Sequence, residues 1–366
     1  MEKDKGKILV ALSGGGTGGP VVPLLSVARV LVRWHPEFMF LFIGTNGGPE
    51  AKMVEDEKDN LDICYFKIIS GKLRRYFSWR NFIDPFLIVF SFFQSLFILA
   101  KYRPKVFLAA GAFVSVPPAW AARILGIPVL MHQQDVRPGL ANQLIAPFAS
   151  LKTVTFKKSL KDYSNAVWIG NPVDEQEISL ALERLEETRK KYQLNNLLPV
   201  ILVTGGGTGA DFFNDLILEN QEDFCSKFQI IHLSGTGKKR SEPKTNYQSH
   251  DFLSHSEILK LMAASDLVVS RCGLGTLTEL SLLSKPSILI PIPNSHQEEN
   301  AQLFVGASLV LAQENLSSKD FLEKVVQLMD NQEELKRMGK EINKLSKLGA
   351  ADFLAEKIYE YSRKKN

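Results

Sequence analysis

The chain has 366 residues, of which 45% are hydrophobic and 23% charged, and its formal net charge is +4. Because single hydrophobic cores stop growing at roughly 250–300 residues, this length predicts two domains. The small positive charge does not indicate a nucleic-acid-binding protein, but it suits an anionic substrate or membrane surface. The cysteines, Cys64, Cys225 and Cys272, have neither disulfide nor metal-site spacing, which favours a reducing compartment.

The N-terminal segment predicts a strand, a glycine loop and a helix. Residues 7–12 predict a buried parallel strand, and their apolar run is too short for a signal peptide, so we expect a cytoplasmic protein. GGGTGGP follows at residues 14–20, and a helical pattern then runs over residues 21–34. Pro20 suits the first helical turn, where its missing N–H would have no partner. Further strands are predicted at residues 38–44 and 106–110.

The same plan begins again near residue 200. We predict a strand at residues 199–204, a glycine loop, GGGTGA, at 205–210, a helix at 211–220 and a strand at 230–233. Two copies of this plan predict an α/β protein with two Rossmann-like domains. We expect the domains at residues 1–168 and 169–349, and a helix at 350–366 that packs back on the first domain.

Both glycine loops match G-x-G-x-x-G/A, a pattern that is not diagnostic by itself. A nicotinamide-binding fold would place an acidic residue at the end of the second strand, but these ends read IGTN and LSG. An NAD-linked oxidoreductase is therefore the poorer alternative, and the missing G-x-x-x-x-G-K-[ST] disfavours a P-loop enzyme. The sequence also has no D-x-D pair. We therefore expect helix termini, and no metal or other cofactor, to stabilise a departing diphosphate.

Residues 270–300 predict a strand end, a small-residue turn, a helix and a second buried strand at 287–292. The turn contains Gly273, Leu274 and Gly275. Thr276 and Glu279 have the spacing of a capping box, so we expect the helix to begin at Thr276 and to end before Pro286. A helix N-terminus at the carboxyl edge of a sheet favours phosphate binding. Glu279 could cap its own helix, as in an ordinary βαβ unit, or accept hydrogen bonds from ribose hydroxyls.

Residues 72–103 combine basic, aromatic and apolar side chains. The basic and aromatic residues at the start are Lys72, Arg74, Arg75, Arg80, Tyr76, Phe77 and Trp79. Asp84 and Pro85 interrupt the following apolar stretch, which leaves less than the ~20 apolar residues that a membrane span needs. Three interpretations stay open: a buried core helix, a transmembrane helix, and an interfacial surface that contacts lipid and anionic headgroups.

Several motifs occur together in a fixed order. They are GGGTGG at residues 14–19, GAFVSVPPAWAARILGIPVLMHQQD at 111–135, GLANQLIAPFA at 139–149, GNPV at 170–173, the second glycine loop, and the 270–300 segment with its HQEEN ending. This set resembles the MurG family of bacterial glycosyltransferases, which transfer N-acetylglucosamine from UDP to lipid I and so form lipid II in peptidoglycan synthesis. The resemblance implies the GT-B fold, two Rossmann-like domains with parallel sheets facing across a cleft.

The family's reaction implies an inverting transfer to the C4 hydroxyl of undecaprenyl-pyrophosphoryl-N-acetylmuramyl-pentapeptide. The enzyme would be peripheral, on the cytoplasmic face of the inner membrane, with the aromatic and basic segment against the lipid. On this mapping Leu253 would contact uracil, Glu279 ribose and Gln297 the sugar hydroxyls. The donor diphosphate would meet Gly273, Leu274, Gly275 and Thr276, with Asn300 in support and the second glycine loop, at Gly207 and Thr208, beside the nucleotide. The acceptor would meet Thr17, Gly18, Gly19, Gly111, Ser115 and His132.

The sequence departs from the family pattern where chemistry is expected. The histidine that usually follows the first glycine loop, a candidate general base, is Pro20 here, and proline cannot accept a proton. We predict Asp135 as the replacement base, because the family commonly has asparagine there. The other departures are Gln133 for glutamate, Asp174 for arginine and Gly207 for serine, with Thr208 beside it. The alternatives are a related enzyme for another lipid acceptor and a catalytically impaired, membrane-associated UDP-sugar-binding protein.

Overall fold

The computed structural model describes residues 6–16, 18–69, 71, 80–205, 211–235, 237 and 244–364, with only the backbone at residues 80–83. The chain divides into two compact units. Unit 1 comprises Met1–Asp174 and Lys347–Asn366, and unit 2 comprises Glu175–Ser346.

In the described part of unit 1, seven parallel strands form one sheet in the order β3-β2-β1-β4-β5-β6-β7. The strands are β1 (Ile8–Ser13), β2 (Phe38–Thr45), β3 (Ile63–Ile68), β4 (Val106–Ala109), β5 (Val129–Gln133), β6 (Leu151–Val154) and β7 (Ala166–Trp168). The first α-helices are α1 (Val21–Trp34), α2 (Pro49–Glu55), α3 (Arg80–Tyr102), α4 (Val116–Ile124) and α5 (Leu140–Ile145).

The described part of unit 2 repeats this plan, with six parallel strands in the order β10-β9-β8-β11-β12-β13. They are β8 (Val200–Thr204), β9 (Gln229–Leu233), β10 (Tyr247–His250), β11 (Leu267–Ser270), β12 (Ser287–Leu289) and β13 (Leu309–Val310). The helices are α6 (Glu175–Glu183), α7 (Leu185–Lys191), α8 (Asp211–Leu218), α9 (Gln221–Lys227), α10 (His255–Ala264), α11 (Leu274–Leu282), α12 (His296–Gln302), α13 (Ser318–Met329) and α14 (Gln332–Asn343).

These two sheets confirm the prediction of an α/β protein with two Rossmann-like halves. Helix α1 has the predicted bounds, because Pro20 precedes it and its apolar face is continuous. Seven of the eight residues of β2 are buried, as expected for a parallel strand that is covered on both faces. The strand predicted at residues 287–292 is shorter, and β12 ends at Leu289.

The chain returns to unit 1 through the C-terminal helix α15 (Ala350–Arg363). This helix packs against α1 and buries Ala351, Leu354 and Ile358 in the core of unit 1. Gly170 has φ +90°, and a Cβ added to it would lie 2.5 Å from the carbonyl oxygen of Lys347. Only glycine therefore fits at position 170, where the chain passes close to the backbone of Lys347.

Helix α3 has one face buried in unit 1 and one face exposed. Ser91, Ser95 and Leu99 are fully buried on the inner face. The opposite face carries apolar side chains that are between 51% and 77% exposed: Phe86, Val89, Phe90, Phe93 and Phe97. Among the described residues, Asp84–Tyr102 is the stretch long and apolar enough to cross a membrane, and 17% of it is buried. The exposed face excludes a wholly buried core helix.

The strand order places the predicted site residues at the switch points of the two sheets. In unit 1 the order reverses between β1 and β4, whose carboxyl ends lead to the first glycine loop and to Gly111. In unit 2 it reverses between β8 and β11, which lead to Gly205 and to residues 271–273. Ligands of open α/β sheets bind at these points, because the connections on either side leave in opposite directions.

Candidate active site

The N-terminus of α11 lies at the carboxyl end of β11 and has no side-chain cap. Gly273 occupies the N-cap position with φ −69°, and the helix begins at Leu274. The predicted capping box is therefore wrong, because Thr276 lies in the third helical position. The N–H of Leu277 bonds to the carbonyl oxygen of Gly273, whereas the N–H groups before it are the ones that a helix cannot satisfy internally. A Cβ added to Gly273 would have no neighbour within 4 Å, so open space surrounds this end.

Gln297 and Asn300 support the loop before α11. The Gln297 carbonyl oxygen accepts hydrogen bonds from the N–H groups of Cys272 and Ile292, each at 3.2 Å. Asn300 is buried, and its amide donates to the carbonyl oxygen of Cys272 at 3.4 Å. Both residues lie on α12, whose N-cap Ser295 accepts a hydrogen bond from the N–H of Gln297. Because the Gln297 carbonyl is engaged by the backbone, its amide N–H₂ is the group that can meet a ligand.

Glu279 lies one turn into α11 and is 5% exposed. Its Oε1 accepts a hydrogen bond from His255 Nε2 at 2.8 Å, and the Nδ1 of the same ring lies 3.4 Å from Glu177 Oε2. Burial alone would lower the pKa of His255, but the Glu279 and Glu177 carboxylates outweigh it and raise the pKa to about 10. The ring is therefore an imidazolium at neutral pH. No motif singled out His255, because its partners are distant in the sequence.

Leu253 and the second glycine loop complete the predicted donor residues. Leu253 is half-buried against the core of unit 2 and stands directly before Ser254, the N-cap of α10. Its main chain is thus fixed at the start of that helix. Gly207 and Thr208 lie outside the residues that the structure describes, and Gly205 follows β8 directly.

The first glycine loop is organised around Glu50, which the sequence analysis missed. This fully buried carboxylate accepts hydrogen bonds from the N–H of Thr45 at 2.7 Å and the N–H of Gly16 at 3.2 Å. A Cβ added to Gly15 would lie 2.6 Å from Glu50 Oε1, so the loop can approach the carboxylate only as glycine. A lone glutamate after β2 follows no motif that would reveal this contact.

Gly19 and the end of β5 are brought together by one hydrogen bond. The Gln134 amide donates to the carbonyl oxygen of Gly19 at 2.9 Å. Asp135 follows directly, two residues after the end of β5, and is half-buried. Gly18 is half-buried and Thr17 lies outside the described residues. The end of β5 is thus joined to the backbone of the first glycine loop through Gln134.

The turn after β4 has an unusual backbone. Gly111 has φ +88°, and Ala112 has φ 65° and ψ 151°, a conformation that costs a non-glycine residue about 1–3 kcal/mol. The buried Ser115 hydroxyl lies 2.8 Å from the carbonyl oxygen of Gly111 and 2.7 Å from that of Ala112. Its side chain therefore holds the turn together instead of pointing to a ligand.

His132 is buried inside unit 1. Its Nδ1 lies 3.0 Å from the Thr153 hydroxyl and its Nε2 lies 3.1 Å from the Thr155 hydroxyl. Burial lowers the pKa of His132 to about 3, so the ring is neutral at physiological pH. In this arrangement the side chain has no nitrogen left for the acceptor contact that the resemblance implied.

Asp174 belongs to an ion-pair cluster on α1. Its Oδ1 lies 2.6 Å from Arg33 and its Oδ2 lies 3.9 Å from Arg29, which also pairs with Glu57 at 2.7 Å. The Asp174 side chain is 6% exposed. Asp174 and Glu57 together balance the charges of Arg29 and Arg33, which accounts structurally for a carboxylate in place of the family's arginine.

Comparison with known proteins identifies the family. Residues 10–152 match the glycosyltransferase family 28 N-terminal domain and residues 200–354 match its C-terminal domain. A Clostridium tetani protein is 36% identical over 334 residues, which cover 88% of this chain and 90% of that protein. A Clostridium kluyveri protein is 37% identical over 333 residues, covering 87% and 90%. Both are named UDP-N-acetylglucosamine--N-acetylmuramyl-(pentapeptide) pyrophosphoryl-undecaprenol N-acetylglucosamine transferase.

The chain belongs to the MurG family. The crystal structure of Acinetobacter baumannii MurG is similar, with a TM-score of 0.74 at 21% identity, over 97% of this chain and 99% of that one. A UDP-GlcNAc 2-epimerase from Neisseria meningitidis, solved with UDP-GlcNAc bound, has a TM-score of 0.66 at 15% identity, over 97% of this chain and 100% of that one. These likenesses confirm the fold that the MurG resemblance predicted.

Replacing Asp174 with the family's arginine should destabilise this protein. Asp174→Asn removes the charge and should lower the free energy of unfolding by about 1–3 kcal/mol, because the Arg33 guanidinium loses the carboxylate that lies 2.6 Å away. Asp174→Arg should cost more, since it places a third cation beside Arg29 and Arg33. Urea unfolding measures both, with the exposed Asp59→Arg as the control. Equal stability of Asp174→Arg and the unaltered protein would contradict the assigned role of the cluster.

Proposed function

We propose that the protein transfers N-acetylglucosamine from UDP-N-acetylglucosamine to the C4 hydroxyl of undecaprenyl-pyrophosphoryl-N-acetylmuramyl-pentapeptide, with inversion, to form lipid II. The arrangement around the N-terminus of α11 supports this proposal most strongly. Uncapped N–H groups, a carboxylate and a carboxamide converge there, in a chain whose relatives are named for this transfer.

Each donor group has a role that follows from its chemistry. The N–H groups of residues 273–276 and the helix dipole bind the diphosphate and stabilise the negative charge that develops on departing UDP. Glu279 accepts from the ribose hydroxyls, and the Gln297 amide donates to a sugar hydroxyl. Asn300 is a supporting residue, because its amide holds the loop at Cys272. Charge on the leaving group is met by backbone donors, so we propose a reaction that needs no metal ion.

Asp135 is the residue we propose as general base for the acceptor hydroxyl. Pro20 cannot accept a proton, and both ring nitrogens of His132 face threonine hydroxyls in the interior. Asp135 stands at the carboxyl end of β5, and its neighbour Gln134 is bonded to the first glycine loop. This is the edge where Gly18, Gly19 and Gly111 would receive the acceptor's diphosphate and sugar. A carboxylate there can take the proton as the hydroxyl attacks the anomeric carbon.

The exposed face of α3 supports a peripheral location on the membrane that carries the acceptor. Phe86, Phe93 and Phe97 are each more than half exposed, and they lie on one face of the helix. Exposed Lys101 and Lys105 lie near its C-terminal end, where they can meet anionic headgroups. The cytoplasmic face of the inner membrane is the side on which a UDP-sugar donor is found. The side chains of residues 72–83, predicted to belong to this surface, lie outside those described.

An assay of lipid II formation tests the proposed function. Purified protein, UDP-N-acetylglucosamine and a lipid I analogue should give lipid II equally well with and without a chelator. Glu279→Ala should weaken UDP binding by about 1–3 kcal/mol, the usual cost of losing a charged hydrogen-bond partner. UDP binding without any lipid II would point instead to another acceptor or to an impaired enzyme, and chelator sensitivity would contradict the metal-independent mechanism.

Asp135→Asn tests the general base. Loss of a general base typically costs about 10²–10⁴-fold in rate, so kcat should fall by this factor while UDP affinity stays the same. Asp59→Asn, which changes an exposed carboxylate of the same unit, is the matched control. An unchanged rate for Asp135→Asn would show that another group, or water, takes the proton.

Vesicle binding tests the membrane surface. Each buried phenylalanine contributes about 1.5–3 kcal/mol, so the double variant Phe93→Ser/Phe97→Ser should bind vesicles of anionic phospholipid at least about tenfold more weakly. Leu197→Ser, at a leucine of unit 2 that is 88% exposed, is the matched control. UDP affinity should be the same in all three proteins. Equal vesicle binding by the double variant would assign the membrane contact to another surface.

A further inference from the structure

We propose that His255 is a positioning residue for the nucleotide donor: it fixes one oxygen of Glu279 so that the other oxygen recognises the ribose 2′- and 3′-hydroxyls. The inference rests on the proposed function, since it concerns the same donor site. In this role His255, which lies outside the motifs of residues 270–300, helps the site to select a ribonucleotide over a deoxyribonucleotide.

The two oxygens of the Glu279 carboxylate have different surroundings. Oε1 is occupied by His255 Nε2 at 2.8 Å and lies 3.9 Å from the position that a Cβ on Gly275 would take, beside the first turn of α11. Within the described residues, His255 is the one group that donates to Glu279. Oε2 is therefore the half that can accept from a ligand, at the same helix end as the uncapped N–H groups.

Burial makes the contact between His255 and Glu279 necessary. A carboxylate that is 5% exposed pays a large desolvation cost unless a cation or several donors compensate for it. His255 supplies that cation, and its other ring nitrogen faces Glu177 of α6. The carboxylate in the first turn of α10, Glu257, is paired with Lys191 and Lys260 and bonded to Tyr192. The positive charge of His255 is therefore directed to Glu279 and Glu177.

The position of His255 also links two parts of the nucleotide. It is the first residue of α10, two positions after Leu253, whose main chain is the proposed uracil contact. The ring bridges to Glu279 on α11. Through this bridge, the base contact and the ribose contact are held at a fixed separation. A ligand that lacks the 2′-hydroxyl leaves a buried acceptor unsatisfied, and such an acceptor discriminates strongly against the smaller ligand.

Calorimetric titration with UDP and with 2′-deoxy-UDP tests the inference. The unaltered protein should prefer UDP by about tenfold or more, as expected for a site built around a substrate hydroxyl. His255→Ala should reduce this preference at least fivefold, about 1 kcal/mol at 1.4 kcal/mol per tenfold change, because Glu279 is no longer fixed. His255→Gln should recover part of it, since its amide can donate to Glu279. His35→Ala, which changes a histidine of unit 1, should leave the ratio unaltered.

A double-mutant cycle shows whether the effect passes through Glu279. In a Glu279→Gln background, His255→Ala should change UDP affinity much less than it does in the unaltered protein. Equal effects in both backgrounds would overturn the inference, because His255 would then act independently of Glu279. So would an equal loss of affinity for UDP and 2′-deoxy-UDP, which indicates a general disturbance of α10. If His255→Ala does not fold, the same comparison of UDP affinity is made with His255→Gln.

The assay of lipid II formation separates this inference from the proposed function. If the unaltered protein binds UDP and forms lipid II while His255→Ala keeps the full preference for UDP, the inference fails and the proposed function stands. If the unaltered protein binds neither nucleotide, the proposed donor site is wrong and the inference fails with it.

Discussion

The reversal of strand order in each parallel sheet is the constraint on which the rest of the structure depends. Between β1 and β4, and again between β8 and β11, the chain connections leave in opposite directions. No crossover helix covers the carboxyl ends of the strands at these points, and ligands of open α/β sheets bind in the crevice there. The first glycine loop and the turn before α11 occupy these two positions. The strand order of each buried sheet therefore determines where the two predicted binding regions lie.

A buried glutamate stands next to each of these loops, and the two glutamates have different partners. Glu50 accepts from backbone N–H groups of Thr45 and Gly16, so it fixes the shape of the first loop. Glu279 accepts from the imidazolium of His255 through Oε1, and we propose that its Oε2 binds the ribose. A buried carboxylate that is satisfied by backbone organises structure, whereas one that is partly satisfied by a cation is suited to recognition.

Two departures from the family pattern, Asp174 and Pro20, are accommodated by the residues next to them. Asp174 pairs with Arg33 and, together with Glu57, balances the charges of Arg29 and Arg33. Pro20 occupies the N-cap position of α1 without loss of a hydrogen bond, because a helix cannot satisfy an N–H at its start internally. The structure therefore accommodates both substitutions without change in the fold. Because proline cannot accept a proton, we propose Asp135, which directly follows Gln134, as the general base.

The sequence alone determined the α/β class, the two repeated strand–loop–helix plans and the family, because parallel strands and glycine loops are local patterns with fixed spacing. It also predicted a loop for the donor diphosphate at residues 273–276. The predicted start of α11 at Thr276 was wrong, because the spacing of a capping box occurs there although Gly273 is the N-cap and the helix begins at Leu274. Only the tertiary structure showed that His132 is sealed between two threonines, that Glu50 holds the first loop, and that His255 meets Glu279. These contacts join residues far apart in the chain, and no local pattern records which side chains the strand order brings together.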